Sequence, residues 1–230
     1  MSISTEGASA RRAGKKKNAR PGREQGTRSR LQVDERRAQL LELGVHLFSA
    51  HSYDGLSVDD IAQAAGISKG LLYHYFPSKR EFYVETVRSA ADQLLRETRS
   101  ANEADPSLPP LERARAATEA YLDYAERHAS AFSTLLRGGI GSDTEVFKII
   151  EGVRRQYVDR FMSKVDLLEP TPSVRNAIRG YLGFAEGATL DWLEHRDVDK
   201  EAVRDLLVDM LERTVTRLLA QQKERRQASP

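Results

Sequence analysis

An all-α fold follows from three observations. Apolar residues recur at helical spacing from about Asp34 onward, cap residues and chain breakers separate those stretches, and no alternating strand pattern competes with them. The composition agrees: 40% of the 230 residues are hydrophobic and 30% charged, enough apolar mass to bury a core. The expected organisation is a basic, disordered arm over 1–33, a three-helix unit over 34–80, a larger helical domain over 81–222 and a polar tail over 223–230.

Each element has its own signal. Residues 1–30 are rich in Gly, Ala, Ser, Arg and Lys, with too little large apolar surface to offset the entropy of ordering. Leu40, Leu41, Gly44, Leu47 and Phe48 then form a helical stripe, and Asp54-Gly55 turns the chain. Ser57-Val58-Asp59-Asp60 resembles a capping box and Ser78-Lys79-Arg80-Glu81 reads as one, so helices start at both. Asn102 to Pro110 is a polar break, with Pro110 suited to a first helical turn. Tyr121, Leu122, Ala125, Phe132, Leu135 and Leu136 keep helical spacing, interrupted near His128. Gly138 to Gly141 reads as a loop, after which Ser142 to Glu145 caps a helix carrying Val146, Ile149, Ile150, Val153, Tyr157 and Phe161. Pro170-Thr171-Pro172 breaks the chain again before two long amphipathic segments, Val174 to Trp192 and Val203 to Leu218.

Composition and spacing also exclude function classes. With no cysteine, disulfides and thiolate metal sites are ruled out and a reducing, cytoplasmic setting fits. No segment approaches the ~20 apolar residues of a membrane span. The five histidines are scattered without an H-E-x-x-H pattern, so no metal is expected, and no cofactor either. Gly138-Gly139-Ile140-Gly141-Ser142 lacks the lysine of a phosphate-binding loop, and His195-Arg196-Asp197 lacks the downstream asparagine of a kinase loop. Catalysis is therefore not expected. Charge points elsewhere: residues 1–33 hold nine Lys/Arg against Glu6 and Glu24, a net +7, so with +2 for the whole chain residues 34–230 carry −5. A basic arm on an acidic body suits either a nucleic-acid-binding tail or a solvated leader.

The informative stretch is Ser57 to Lys79. A short capped helix carries Ile61, Ala62 and Ala65, and Ala62 is small where a second helix must cross closely. Gly66 can take the left-handed conformation that ends a helix in a tight turn, Ile67 plugs the corner, and Ser68 caps a second helix that Pro77 stops. Two short helices about such a turn describe a helix-turn-helix, whose second helix enters the major groove of DNA. At ~100° per residue, Leu72 and Phe76 face the core with Tyr75 leaning the same way, while Gly70, Tyr73 and His74 face outward, flanked by Lys69 and Leu71.

Residues 34–85, with the G-L-S-V-x-D-I-A-x-A-A-G and L-Y-x-Y-F-x-S-K runs, resemble the DNA-binding domain of the TetR family of bacterial regulators. Carried across by position, the resemblance implies phosphate contact at Ser57, base-edge or adjacent phosphate contact at Lys69, Gly70 and Tyr73, and backbone contact at His74 and Tyr75. Leu71 lies on the same surface, and Lys79 sits at a helix N-terminus that favours a phosphate. Arg28 and Arg30 precede the stripe as minor-groove arms do.

The resemblance further implies a C-terminal effector pocket and a homodimer. Tyr121, Tyr124, Phe132, Phe147, Tyr157, Phe161 and Phe184 are the expected lining. Few charges sit on these stripes, so the expected effector is an apolar small molecule, with acyl-CoA or another lipid as the loosest part of the likeness. The expected dimer face is Tyr181, Ala185, Ala188 and Trp192 with Leu207, Met210, Leu211 and Thr214, the alternative being that both stripes are internal core. Together these features predict a dimeric repressor that leaves its operator when the effector binds. An activator, or a regulator without a small ligand, is the alternative, and a helical enzyme a remote one.

Overall fold

The computed structural model describes residues 22–136, 143–164 and 169–228, and these form nine α-helices and no strand. They are α1 (Gly22–Ala50), α2 (Val58–Ala64), α3 (Lys69–Tyr75), α4 (Lys79–Glu103), α5 (Pro110–Arg127), α6 (Ala129–Leu136), α7 (Thr144–Lys164), α8 (Pro172–His195) and α9 (Lys200–Ala228). The chain divides into two compact units, residues 1–37 and 38–230. In the first, α1 begins at Gly22, inside the stretch expected to be an unstructured arm. The physical reason is that residues 22–33 lack an apolar stripe yet contain Arg, Glu and Gln, which propagate a helix without one. Residues 1–21 of the expected arm and the glycine loop over 138–141 lie outside the described residues.

In the second unit, local chemistry fixes the helix ends. Ser57 makes a complete capping box with Asp60: the Ser57 backbone N–H donates to the Asp60 carboxylate at 2.8 Å, and the Asp60 N–H donates to Ser57 Oγ at 3.1 Å. Ser78 caps α4 through Oγ, which accepts from the Glu81 N–H at 3.0 Å, but here only half of the expected box forms. Pro110 opens α5, and His128 both ends α5 and starts α6. At the end of α8, Arg196 takes the left-handed conformation (φ 53°) and its N–H caps Trp192 O at 3.0 Å.

The N-terminal core joins Leu40, Leu41 and Phe48 of α1, Ile61 and Ala62 of α2, Leu72 of α3, Phe76, and Phe82, Tyr83, Val84 and Val87 of α4. Burying so many large side chains at about 25 cal/mol per Å² is what holds the short helices α2 and α3 in place. Gly44 lets α1 lie against α4: a Cβ there would meet Thr86 Oγ1 at 2.5 Å and the Phe82 ring at 2.8 Å. Thr86 has no room to retreat, since its hydroxyl donates to Phe82 O at 2.8 Å. Val146 of α7 is buried in the same cluster.

The remaining helices form a bundle. α5 returns antiparallel to α4, tied by Tyr124 Oη donating to Ala90 O (2.8 Å) and Asn102 Nδ2 donating to Arg113 O (3.1 Å). α7 runs alongside α4 in the same direction, with Arg88 against Glu145 (3.1 Å) and Tyr157 Oη against Thr98 Oγ1 (2.9 Å). α9 runs antiparallel to α5 through Lys200 with Asp123 (2.5 Å) and Glu119 (3.0 Å), Arg204 with Glu119 (3.0 Å), and Arg115 with Asp205. Among the described residues no helix is long and apolar enough to cross a membrane.

Candidate nucleic-acid interface and effector cavity

The turn between α2 and α3 is built as the sequence requires. Gly66 has φ +63°, its N–H donates to Gln63 O at 3.0 Å, and the Ile67 N–H reaches back to Ala62 O at 3.0 Å. These two bonds are the Schellman closure of α2, which needs a residue free of the left-handed penalty at position 66. Ser68 Oγ then accepts the Leu71 N–H at 3.2 Å and starts α3. Because Leu72 and Phe76 are buried, the opposite side of α3 is forced outward.

That outward side holds the expected residues. Lys69, Gly70, Leu71, Tyr73 and His74 are exposed, with Leu71 at 41% and Tyr73 at 42%. Large apolar groups so open to water on a two-turn helix are an unfavourable surface unless a partner covers them. A Cβ at Gly70 would meet nothing within 4 Å, so packing does not require glycine there. Lys69 is not free: its Nζ donates to Asp59 Oδ2 at 2.8 Å, which raises the lysine pKa. Ser57 is exposed at the start of α2, although its hydroxyl already serves the capping box. Tyr75 is half-buried against the core, its ring 5.7 Å from His74. Lys79 lies with Nζ 4.3 Å above the Tyr53 ring, a cation–π contact that holds it at the start of α4. Arg28 and Arg30 fall in the helical backbone of α1, within the first unit.

The bundle encloses a cavity of about 490 Å³, within the range of small-molecule sites. Tyr121, Tyr124, Phe132, Tyr157 and Phe161 line it as expected, together with Val45, Leu94, Ile149 and Ile178. Burial raises the pKa of Tyr121, Tyr124 and Tyr157, so all three are neutral. Phe147 and Phe184 do not line it. They are 61% and 37% exposed, because each lies about 100° around its helix from its buried neighbour, Val146 or Ala185, and so points away from the core.

The expected dimer face needs a similar correction. Trp192, Ala185 and Leu207 are buried within one chain, where they pack with Leu122 and Val203, and the Trp192 indole N–H donates to Val198 O at 3.1 Å. Tyr181 and Leu211 line the cavity. Ala188, Met210 and Thr214 are only half-buried, with Thr214 Oγ1 donating to Met210 O at 2.7 Å. The outward face of α8 instead presents Gly180, Gly183, Phe184 and Gly187, and that of α9 presents Leu206. Of the eight expected residues, Ala185, Trp192 and Leu207 are thus taken up in the chain's own core.

Two features that the sequence did not single out join cavity to interface. Val87 belongs both to the N-terminal core and to the cavity wall, and Ile149 and Ile150 of α7 touch both. One residue after Lys79, Arg80 grips Asp143 through Nε (2.8 Å) and Nη2 (2.9 Å), while Asp143 caps α7 through the Glu145 N–H (2.9 Å). Partial burial raises the Asp143 pKa, but Arg80 and the cap bonds outweigh it and leave the carboxyl below its ordinary range. The cap was legible from Ser142 to Glu145; a partner 63 residues away was not.

Comparison with known proteins is consistent with this geometry. The family model described as bacterial regulatory proteins, tetR family, matches residues 40–86, and the one described as tetracyclin repressor-like, C-terminal domain, matches 110–214. The HTH-type transcriptional activator FasR of Mycolicibacterium smegmatis is 33% identical over 178 residues, covering 76% of this chain and 80% of that protein. The HTH-type transcriptional repressor KstR2 of Mycobacterium tuberculosis is 38% identical over 97 residues, 42% of this chain and 48% of that one. A crystal structure of a tetR-family transcriptional regulator from Streptomyces coelicolor is 30% identical, with a TM-score of 0.70 over 85% of this chain and 86% of that one.

Proposed function

This chain belongs to the TetR family of bacterial transcriptional regulators, and from that premise we propose that it is a ligand-responsive repressor that binds an inverted-repeat operator as a homodimer and releases it when a lipophilic molecule, such as an acyl-CoA, fills its cavity. It is a DNA-binding regulator, not an enzyme. The observation that carries the ligand reading is Val87, which is at once cavity wall and helix-turn-helix core, so filling the cavity must press on the platform that holds α3.

The outward residues Lys69, Gly70, Tyr73 and His74 would enter the major groove, with Ser57, Tyr75 and Lys79 on the phosphate backbone and the arm residues Arg28 and Arg30 in the minor groove. In a homodimer joined through the open faces of α8 and α9, the two copies of α3 must lie about 34–36 Å apart to read both half-sites. The effector releases DNA only to the extent that it favours a dimer with another spacing. The Arg80–Asp143 clamp is the natural carrier of that shift from α7 to α4.

A second reading, transcriptional activation by the same machinery, draws on the activator FasR, of which this chain covers 80%. A mobility-shift titration against the chain's own upstream DNA, with and without palmitoyl-CoA, tests the first reading: the effector should weaken the complex at least tenfold. If no acyl-CoA alters binding, the ligand-release claim falls. Deleting the gene separates the two modes, since transcription from the bound promoter rises for a repressor and drops for an activator.

A further inference from the structure

The cavity has two chemically different ends. α4 and α7 run together away from the helix-turn-helix and α5 runs back toward it, so Asn102, Arg113 and Arg160 share the far end while Val45, Val87 and His128 mark the near one. Three arginines and two carboxylates line the cavity, and their pairing is uneven. Arg154 is matched: it grips Glu186 through Nε (2.8 Å) and Nη2 (2.6 Å) and touches Glu151 at 2.6 Å. Glu151 in turn is held by Arg179 at 2.6 Å.

Arg113 and Arg160 are not matched in this way. Neither forms an ion pair with any of the described carboxylates, and Arg113 Nε is buried with no hydrogen-bond partner. Arg160 lies with its guanidinium 5.7 Å from the Tyr157 ring, and burial depresses its pKa; Tyr157 and Glu103 oppose that, and Arg99 adds to it. The remaining lining carboxylate, Glu212 on α9, is exposed. A guanidinium that lines a cavity with no carboxylate beside it is poorly compensated, so it marks where a ligand's negative charge would fit. The near end carries no formal charge: Phe132 and Val45 are apolar, and burial lowers the pKa of His128, whose neutral ring leaves Nε2 buried without a partner.

We propose that Arg113 and Arg160 seat the anionic head group, carboxylate or phosphate, of an amphipathic effector whose aliphatic tail runs along the cavity toward Phe132 and His128. The proposal rests on the reading of the cavity as an effector site and adds the polarity and orientation of the occupant. Guanidinium groups suit both oxyanions because their donors match two acceptor oxygens at once. The head group would bridge α5 and α7, and the tail would reach the wall that the helix-turn-helix core shares.

The test compares three ligands of equal chain length on the full-length protein: palmitate, monohexadecyl phosphate and 1-hexadecanol, each displacing the neutral fluorophore N-phenyl-1-naphthylamine. The anions should bind at least tenfold tighter than the alcohol, and the tighter of the two identifies the head group. In the Arg113→Gln/Arg160→Gln protein that preference should vanish while the alcohol binds as before. If wild-type protein takes alcohol and anions equally well, the proposal is overturned even should the variant fail to fold. It is likewise overturned if the variant folds and loses affinity for all three ligands alike. Should wild-type protein not take up the neutral fluorophore, the effector reading fails and takes this one with it; uptake of the fluorophore without anion preference sinks the head-group assignment alone.

Discussion

At Gly70, glycine is kept where the fold does not ask for it: the site is helical, exposed and open where a Cβ would sit. Gly70→Ala should therefore stabilise the protein by about 0.5–1 kcal/mol through helix propensity. It should also weaken operator binding, because the added methyl stands between α3 and the groove. Thermal melts and mobility shifts on the one variant check both, and unchanged operator affinity would remove Gly70 from the reading surface. His128 gives the pH prediction. Its folded pKa is lowered, chiefly by burial and then by Arg127 and His46, with Glu97 opposing, so the unfolded chain binds the extra proton first. Stability from this residue is thus complete above the unfolded value of about 6.5 and declines as pH falls below it. His128→Gln should flatten the drop in melting temperature between pH 7.5 and 5.5; an identical drop would assign it to other groups. Sides of α3 were readable in advance because two buried residues, Leu72 and Phe76, fix the rotation of a two-turn helix. Lys69 was placed correctly on the outer face, but its bond to Asp59 depends on how α2 crosses α3, which spacing along one helix does not encode.

Helix boundaries were legible wherever a cap or breaker is local: Ser57, Gly66, Ser68, Ser78, Pro110 and His128 all sit where the pattern put them. The start of α1 was not, since its first turns carry no apolar periodicity. Nor was the assignment of α8 and α9, because a stripe reports that a face is covered and not by what. Trp192 and Leu207 meet the same chain, and Tyr181 and Leu211 meet its cavity. The joint between α4 and α7 is an element-scale prediction. Asp143 both caps α7 and holds Arg80, so Arg80→Gln removes the clamp while leaving the cap bonds in place. The variant should bind operator and effector, each within about threefold of wild type, while effector-induced release shrinks by a factor of 5 or more, the size of a typical coupling term. Retained coupling in a titration of both ligands would place the relay elsewhere, for example in Ile149 and Ile150.

For the whole molecule, the proposed homodimer turns on how two chains would meet. Phe184 is 37% exposed beside Gly180, Gly183 and Gly187, and Leu206 on α9 is 48% exposed. Phe184→Arg costs the isolated chain little, as the side chain is outside the core, yet it should convert the dimer to monomer in sedimentation analysis and abolish operator binding. A variant that remains dimeric would move the interface off this face. The all-α architecture was visible in the sequence, since it rests on local periodicity, whereas the expected division of labour between the first helices and the bundle came from the family resemblance of residues 34–85. The charge pattern inside the cavity was not, because Arg113 and Arg160 come from helices far apart in the chain. One detail of the free protein bears on how it searches a chromosome. Lys69 stands already tethered to Asp59, so a random stretch of duplex gains little by borrowing that cation: one anion merely replaces another. If Lys69 meets DNA as proposed, a stretch that also accommodates Tyr73 and the bare backbone at Gly70 would offset this exchange better than a random one, although an exposed pair of this kind is weak.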